Sequence, residues 1–117
     1  KEIIEKVHNK KKQIGIALNP ETHPTAIDPF LDDLDLVLLM SVQPGWDGQE
    51  FKERVLEKAK FFKERKFKGN IEIDGGINDK NIKKVGKSGI NLICVGKYIS
   101  KSKNIKKTIE NLKKLIL

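Results

Sequence analysis

The 117 residues of the chain suffice for one domain with a hydrophobic core, and 38% hydrophobic with 34% charged residues is typical of a soluble globular protein. No apolar run reaches the roughly 18 residues of a membrane span, and the first residues show no signal-peptide core, so we expect a cytoplasmic protein without a membrane partner. The net charge of +8 could suit nucleic acid, but residues 13–50 hold seven acidic residues and no Lys or Arg. We therefore expect the lysines to lie on solvated helix faces and expect no nucleic-acid partner.

Helix and strand signals alternate along the chain, because apolar residues recur first at helical spacing and then in short runs closed by Pro or Gly. The predicted order is a helix over 1–12, a strand over 14–18, a short helix over 24–32, a strand over 35–42, a loop over 44–48, a helix over 50–66, a strand over 71–74, a short helix around 82–85, a strand over 91–96 and a helix over 103–116.

This alternation predicts an α/β fold with a parallel sheet and right-handed crossovers. The strand over 35–42 is apolar almost without alternation, which is typical of a parallel strand covered on both faces. The spacing fits either a small doubly wound sheet or part of a (β/α)₈ barrel, and periodicity does not choose between them. Residues 1–117 contain no linker and are treated as one domain.

Three of the four strand ends are rich in glycine, and in both architectures the site lies at the carboxyl ends of the strands. Glycine lets backbone N–H groups turn toward an anion and lets the anion approach closely. We therefore expect amides near Gly76 and Gly96–Lys97 to converge on one anion site. The alternative is that these glycines only end their strands.

Asp74 is the acidic residue that ends an otherwise apolar strand beside two glycines. It is either a turn carboxylate or a general acid or base facing the site. Glu72 lies two residues deeper on the same side of that strand. His8 and His23 form no metal motif and are expected at the surface, and Cys94 is expected to be a small buried hydrophobic residue.

Four segments, GIALNP, DLVLLMSVQPGWDGQEF, IEIDGGIN and VGKYISKS, resemble ribulose-phosphate 3-epimerases in order and spacing. The resemblance runs from Ile14 onward, and the stretch from Met40 to Phe51 and the Asp-Gly-Gly are its most specific parts. It implies a (β/α)₈ TIM barrel of which residues 1–117 form the C-terminal half, about the last four βα units, with the N-terminal strands absent.

The resemblance also implies an activity, the interconversion of D-ribulose 5-phosphate and D-xylulose 5-phosphate by proton transfer at C3. Such enzymes use two aspartates and a divalent metal (Zn, Fe, Mn or Co) held by those aspartates and two histidines. Only the second aspartate falls in this chain, so we expect the metal to be incompletely bound. The residues assigned are Asp74 as catalytic residue and metal ligand, and Met40, Gly45, Gly48, Gly75, Gly76, Gly96 and Lys97 as substrate-binding residues.

Two local departures from the family pattern affect the expected phosphate site. Trp46 and Asp47 stand where the family has Phe-Gly, and Lys97 stands where serine is common. The Asp47 carboxylate is expected to oppose a phosphate dianion, whereas Lys97 could donate to one. Since the isolated chain would lack one aspartate and both histidines, we expect it to be inactive alone and to need either an N-terminal half or a homo-oligomer partner. The alternatives are a related ketohexose-phosphate epimerase and a non-catalytic phosphate-binding half-barrel.

Overall fold

The computed structural model describes residues 1–46 and 48–117. Its strands are β1 (Gly15–Leu18), β2 (Leu36–Met40), β3 (Asn70–Asp74) and β4 (Leu92–Cys94). Its α-helices are α1 (Glu2–Asn9), α2 (Leu56–Glu64), α3 (Ile82–Lys87), α4 (Lys97–Ser100) and α5 (Ile105–Ile116), and 3-10 helices cover Pro24–Asp33 and Glu53–Val55. In the part of the chain described, no helix is long and apolar enough to cross a membrane.

The four strands form one sheet in the order β1-β2-β3-β4, and every neighbouring pair is parallel. This confirms the predicted α/β fold built from parallel βα units. A doubly wound sheet reverses its strand order at a switch point, whereas these strands follow one another in a single direction, as they do in a barrel.

In the described part of the chain, helices cover one face of the sheet and leave the other open. Val37 and Leu39 of β2 are fully buried, and they join Ile71 and Ile73 of β3 in a core with side chains of α2, α3 and α5. Their alternating neighbours, among them Leu36, Leu38 and Met40, are only half-buried. The expectation that β2 is covered on both faces is therefore wrong for this chain, because packed helices cover only one of them.

Several element ends differ from the sequence prediction for local reasons. Lys11 has a left-handed φ of 55° just beyond α1, so that helix stops earlier than expected. Residues 24–33 form a 3-10 helix rather than an α-helix, and Pro29 within it has no N–H to donate. Helix α4 was not predicted; it begins where the strand over 91–96 was expected to end, because the carbonyl of Gly96 accepts from the amides of Ile99 and Ser100.

Polar side chains fasten the amino ends of the strands. The Asp35 carboxylate accepts from the Ile14 amide at 2.7 Å, and His8 Nε2 lies 2.9 Å from the same carboxylate oxygen. Contacts with His8 first and then with the Ile14 N–H lower the pKa of Asp35. At the amino end of β4, the side chain of Asn91 accepts from the Ile71 amide at 2.7 Å. These contacts hold the end of the sheet opposite to the cleft described next.

Candidate active site at the carboxyl ends of the strands

An open cleft of about 1080 Å³ lies where the carboxyl ends of β2, β3 and β4 meet. This is the end of a parallel βα sheet that carries function in barrels. All eight residues assigned from the sequence line it: Met40, Gly45, Gly48, Asp74, Gly75, Gly76, Gly96 and Lys97. The fold thus brings the assigned residues together, while their roles in binding and catalysis stay predictions.

Asp74 ends β3 on the sheet face that the helices leave uncovered. It is half-buried, whereas Ile73 before it is fully buried in the core. Met40 is its register partner on β2, and Cys94 is its partner on β4. A carboxylate at the mouth of a cleft, beside an apolar side chain, can exchange a proton with a bound substrate.

Glu72 and Cys94 form a polar contact deeper on the same face. The Cys94 thiol donates to Glu72 Oε1 at 2.8 Å. Burial, then the hydrogen bond to Glu72 and the nearby carboxylate charges, raise the pKa of Cys94 to about 12. Cys94 is half-buried rather than fully buried, and its thiol stays protonated at neutral pH, which makes it a poor nucleophile.

The turn after β3 favours glycine at two successive positions. Gly75 has φ 129° and Gly76 has φ 70°, both in the left-handed half of backbone space. A Cβ at Gly75 would lie 2.6 Å from Val42 Cγ2, and one at Gly76 would lie 3.0 Å from the Phe51 nitrogen. The chain leaving β3 is therefore packed tightly against the segment that leaves β2.

Among the described residues, the side chain of Gln49 connects the two ends of the loop after β2. Gln49 accepts from the Gln43 amide at 3.1 Å and donates to the carbonyls of Gln43 and Trp46 at 2.6 and 3.0 Å. Trp46 lines the cleft yet is 63% exposed, so its indole is available to a ligand. Asp47, whose charge was expected to oppose a phosphate, lies outside the described residues.

The cleft receives positive charge from Lys97, the first residue of α4, and from Lys101, which directly follows that helix. Lys97 and Lys101 are one helical turn apart, and both line the cleft next to the glycine turn of β3. Lys101 was not assigned from the sequence; it lies between the strand predicted over 91–96 and the helix predicted over 103–116, where no element was predicted. The side chain of Asn81 was also missed; it donates to the Gly76 carbonyl at 2.8 Å.

Among the described residues, those at the carboxyl end of β1 do not line this cleft, although the sequence analysis expected the site at the carboxyl ends of the strands. Lys58 of α2 is buried and donates to the carbonyls of Asn19 and Pro20, each at 2.8 Å. Desolvation, followed by the charge of Arg54, lowers the pKa of Lys58, and Glu21 acts in the opposite direction. The Lys58 ammonium group thus connects α2 to the residues that follow β1.

The two histidines are exposed, as expected, and neither lines the cleft. His8 contacts Asp35 at the opposite end of the sheet, and His23 accepts from the Thr25 amide at 3.2 Å and packs against Phe61. Among residues 1–46 and 48–117, no three His, Cys, Asp or Glu side chains are grouped so as to hold a metal ion. Asp74 can offer one oxygen ligand, and these residues do not form a complete set.

A parallel sheet wound in one direction, with an aspartate and glycine turns at its carboxyl end, is the architecture of part of a (β/α)₈ barrel enzyme. The profile of the "Ribulose-phosphate 3 epimerase family" matches residues 1–100. The chain belongs to this family, and its fold is that of part of the family's TIM barrel.

Individual relatives agree with the family match. The chain is 47% identical over 102 residues to the ribulose-phosphate 3-epimerase of Helicobacter pylori (strain ATCC 700392 / 26695), covering 84% of this chain and 47% of the relative. It is 42% identical to that of Aquifex aeolicus, covering 88% and 48%, and 34% identical to that of Schizosaccharomyces pombe, covering 99% and 51%. The chain spans about half the length of the curated relatives it matches.

Proposed function

We propose that this chain is the C-terminal half of a ribulose-phosphate 3-epimerase, an isomerase of the pentose phosphate pathway that acts in the cytoplasm. Its reaction would interconvert D-ribulose 5-phosphate and D-xylulose 5-phosphate by moving one proton at C3. The observation that supports this best is the cleft in which the eight assigned residues meet in a chain of this family.

In this proposal the glycine-rich ends of β3 and β4 hold the phosphate, and Asp74 transfers the proton. Backbone amides at Gly76 and Gly96 donate to phosphate oxygens, and Lys97 adds a positive charge, while Gly45 and Gly48 let the β2 loop approach the ligand closely. Asp74 then takes or gives the C3 proton on one face of the sugar, and Met40 shields the reacting carbons from water.

A divalent metal (Zn, Fe, Mn or Co) would stabilise the negative charge that develops on the sugar when the proton leaves. Asp74 is the described residue that would contribute to holding it. The proton on the opposite face of C3 and the remaining metal ligands require residues from further strands.

We propose that those strands pack on the uncovered face of the sheet and pair with the free edges of β1 and β4. The half-buried side chains of β2, including Leu36 and Leu38, and the 40% exposed Leu92 of β4 form an apolar surface there. Unpaired strand edges bind further strands readily. The partner is an N-terminal half of the same barrel or, alternatively, a second copy of this chain.

The test is an epimerase assay on the chain alone, on the chain mixed with an N-terminal half from a relative, and on both with Asp74→Asn. We expect little turnover alone, and restored turnover with the added half, because a positioned acid or base contributes about 10²–10⁴-fold. Asp74→Asn should abolish C3 proton exchange with solvent. The matched control is Glu72→Gln, which removes a carboxylate from the same strand face and should leave most of the turnover.

Three results would contradict the proposal. Full turnover by the chain alone would show that no partner is needed. Unchanged proton exchange in Asp74→Asn would remove Asp74 from its role. If the mixed halves bind each other and phosphate but never turn over, the non-catalytic phosphate-binding function is the correct one.

A further inference from the structure

Ser41 is a fully buried polar residue at the end of β2, and the proposed mechanism does not use it. Its amide donates to the Asp74 carbonyl at 2.9 Å, its hydroxyl donates to the Gly75 carbonyl at 2.5 Å, and its own carbonyl accepts from the Lys52 amide at 2.8 Å. One residue thus ties together the end of β2, the glycine turn after β3 and the segment that leads into α2.

The hydroxyl contact fixes the orientation of one peptide group. In a planar trans peptide the C=O and the following N–H point in opposite directions. The Gly75 carbonyl points at Ser41, which is buried beneath the turn, whereas Gly75 and Gly76 both line the cleft. The Gly76 N–H must then point away from Ser41, and Gly76 itself lines the cleft.

Both glycines could rotate easily without such a contact, because glycine has the widest range of backbone conformations. The next carbonyl, that of Gly76, is held by Asn81 at 2.8 Å. Three successive carbonyls, from Asp74 to Gly76, are therefore engaged by donors of this chain. The turn is ordered before any ligand arrives, which lowers the entropic cost of binding.

We infer that Ser41 is a positioning residue that holds the Gly75–Gly76 peptide so that the Gly76 amide donates to the phosphate of the substrate. This inference rests on the proposed function, since it assigns a role within the phosphate site. Ser41 itself touches neither the phosphate nor the reacting atoms.

The experiment is a titration of the ¹⁵N-labelled chain with inorganic phosphate, followed by the amide shift of Gly76. Removing the hydroxyl in Ser41→Ala should weaken phosphate binding by about 2- to 10-fold, the range of one hydrogen bond, and should reduce the Gly76 shift change. The matched control is Ser88→Ala, because the Ser88 hydroxyl also donates to a backbone carbonyl, that of Val85 at 2.6 Å, but lies outside the cleft. It should change neither value.

The outcomes separate the inference from the function on which it rests. If wild-type Gly76 does not respond to phosphate, the phosphate site itself is wrong and the inference falls with it. If the wild type responds and Ser41→Ala responds equally, only the role of Ser41 is wrong. Should Ser41→Ala not fold, Ser41→Cys replaces it; a thiol is a weaker donor, so an affinity equal to that of the wild type would overturn the inference.

Discussion

Replacing Gly75 by alanine tests whether the turn after β3 is as crowded as its geometry indicates. The added Cβ would lie 2.6 Å from Val42 Cγ2 and 2.9 Å from the Val42 nitrogen, where ordinary carbon contacts are about 3.5–4.0 Å. Gly45 provides a matched control, since its φ of 119° is close to the 129° of Gly75 and, among the described residues, nothing lies within 4 Å of its added Cβ.

Both variants carry the cost of a positive φ and the same change in the unfolded chain, whereas only Gly75→Ala also brings its Cβ against Val42. Alanine at a positive φ costs about 1–2 kcal/mol, and both variants lose the same glycine entropy in the unfolded chain. Overpacking adds about 1–3 kcal/mol at Gly75 alone. Gly75→Ala should therefore lower the free energy of unfolding by about 2–5 kcal/mol, and Gly45→Ala by about 1–2 kcal/mol.

Urea unfolding followed by circular dichroism measures this difference. With a slope of about 1.5–2 kcal/mol per molar urea, the midpoint of Gly75→Ala should lie about 1 M below that of Gly45→Ala. Equal midpoints would refute the reasoning, because they would show that Val42 can move aside at no cost and that the turn is not tightly packed.

Two further predictions concern ionisable groups whose pKa values are shifted by the fold. Lys58→Met leaves the carbonyls of Asn19 and Pro20 without their donor, so it should cost about 1–3 kcal/mol in urea unfolding. Because the folded-state pKa of Lys58 is lowered, the wild type should gain stability relative to this variant as pH rises toward 10.5; a constant difference would contradict the assigned shift. Cys94, with its pKa raised to about 12, should react with a disulfide reagent at pH 8 at least about 100-fold more slowly in the native chain than in urea. By the same shift, the protonated Cys94 thiol contributes stability that is fully present below pH 9 and is lost as the pH rises toward 12. Equal reaction rates in the native and the unfolded chain would contradict the raised pKa.

The sequence predicted the strands well because each is a short apolar run ended by proline or glycine. It predicted the clustering of the assigned residues for the same reason, since parallel strands bring their carboxyl ends to one edge. It could not predict that β2 is covered on one face only, because Leu36 and Val37 are equally apolar and differ only in what packs against them.

The contacts that shape the cleft were beyond the sequence because they join residues far apart in the chain. Ser41 meets Gly75 across 34 positions, and Lys58 meets Asn19 across 39. Helix α4 was missed because its four residues are too few to show helical periodicity. One signal was available, since Ser41 is a polar residue that directly follows the apolar strand β2.

Asp35 and Asn91 fasten the sheet at the end remote from the cleft, and they share no residue with it. Substitutions there change how firmly the strands are held without altering the shape of the glycine turns. Stability that is lost through substitutions in the cleft can therefore be regained through substitutions at the opposite end of the sheet. A laboratory selection that weakens the cleft in search of a new substrate can regain stability through substitutions around Asp35 that leave the cleft lining unchanged.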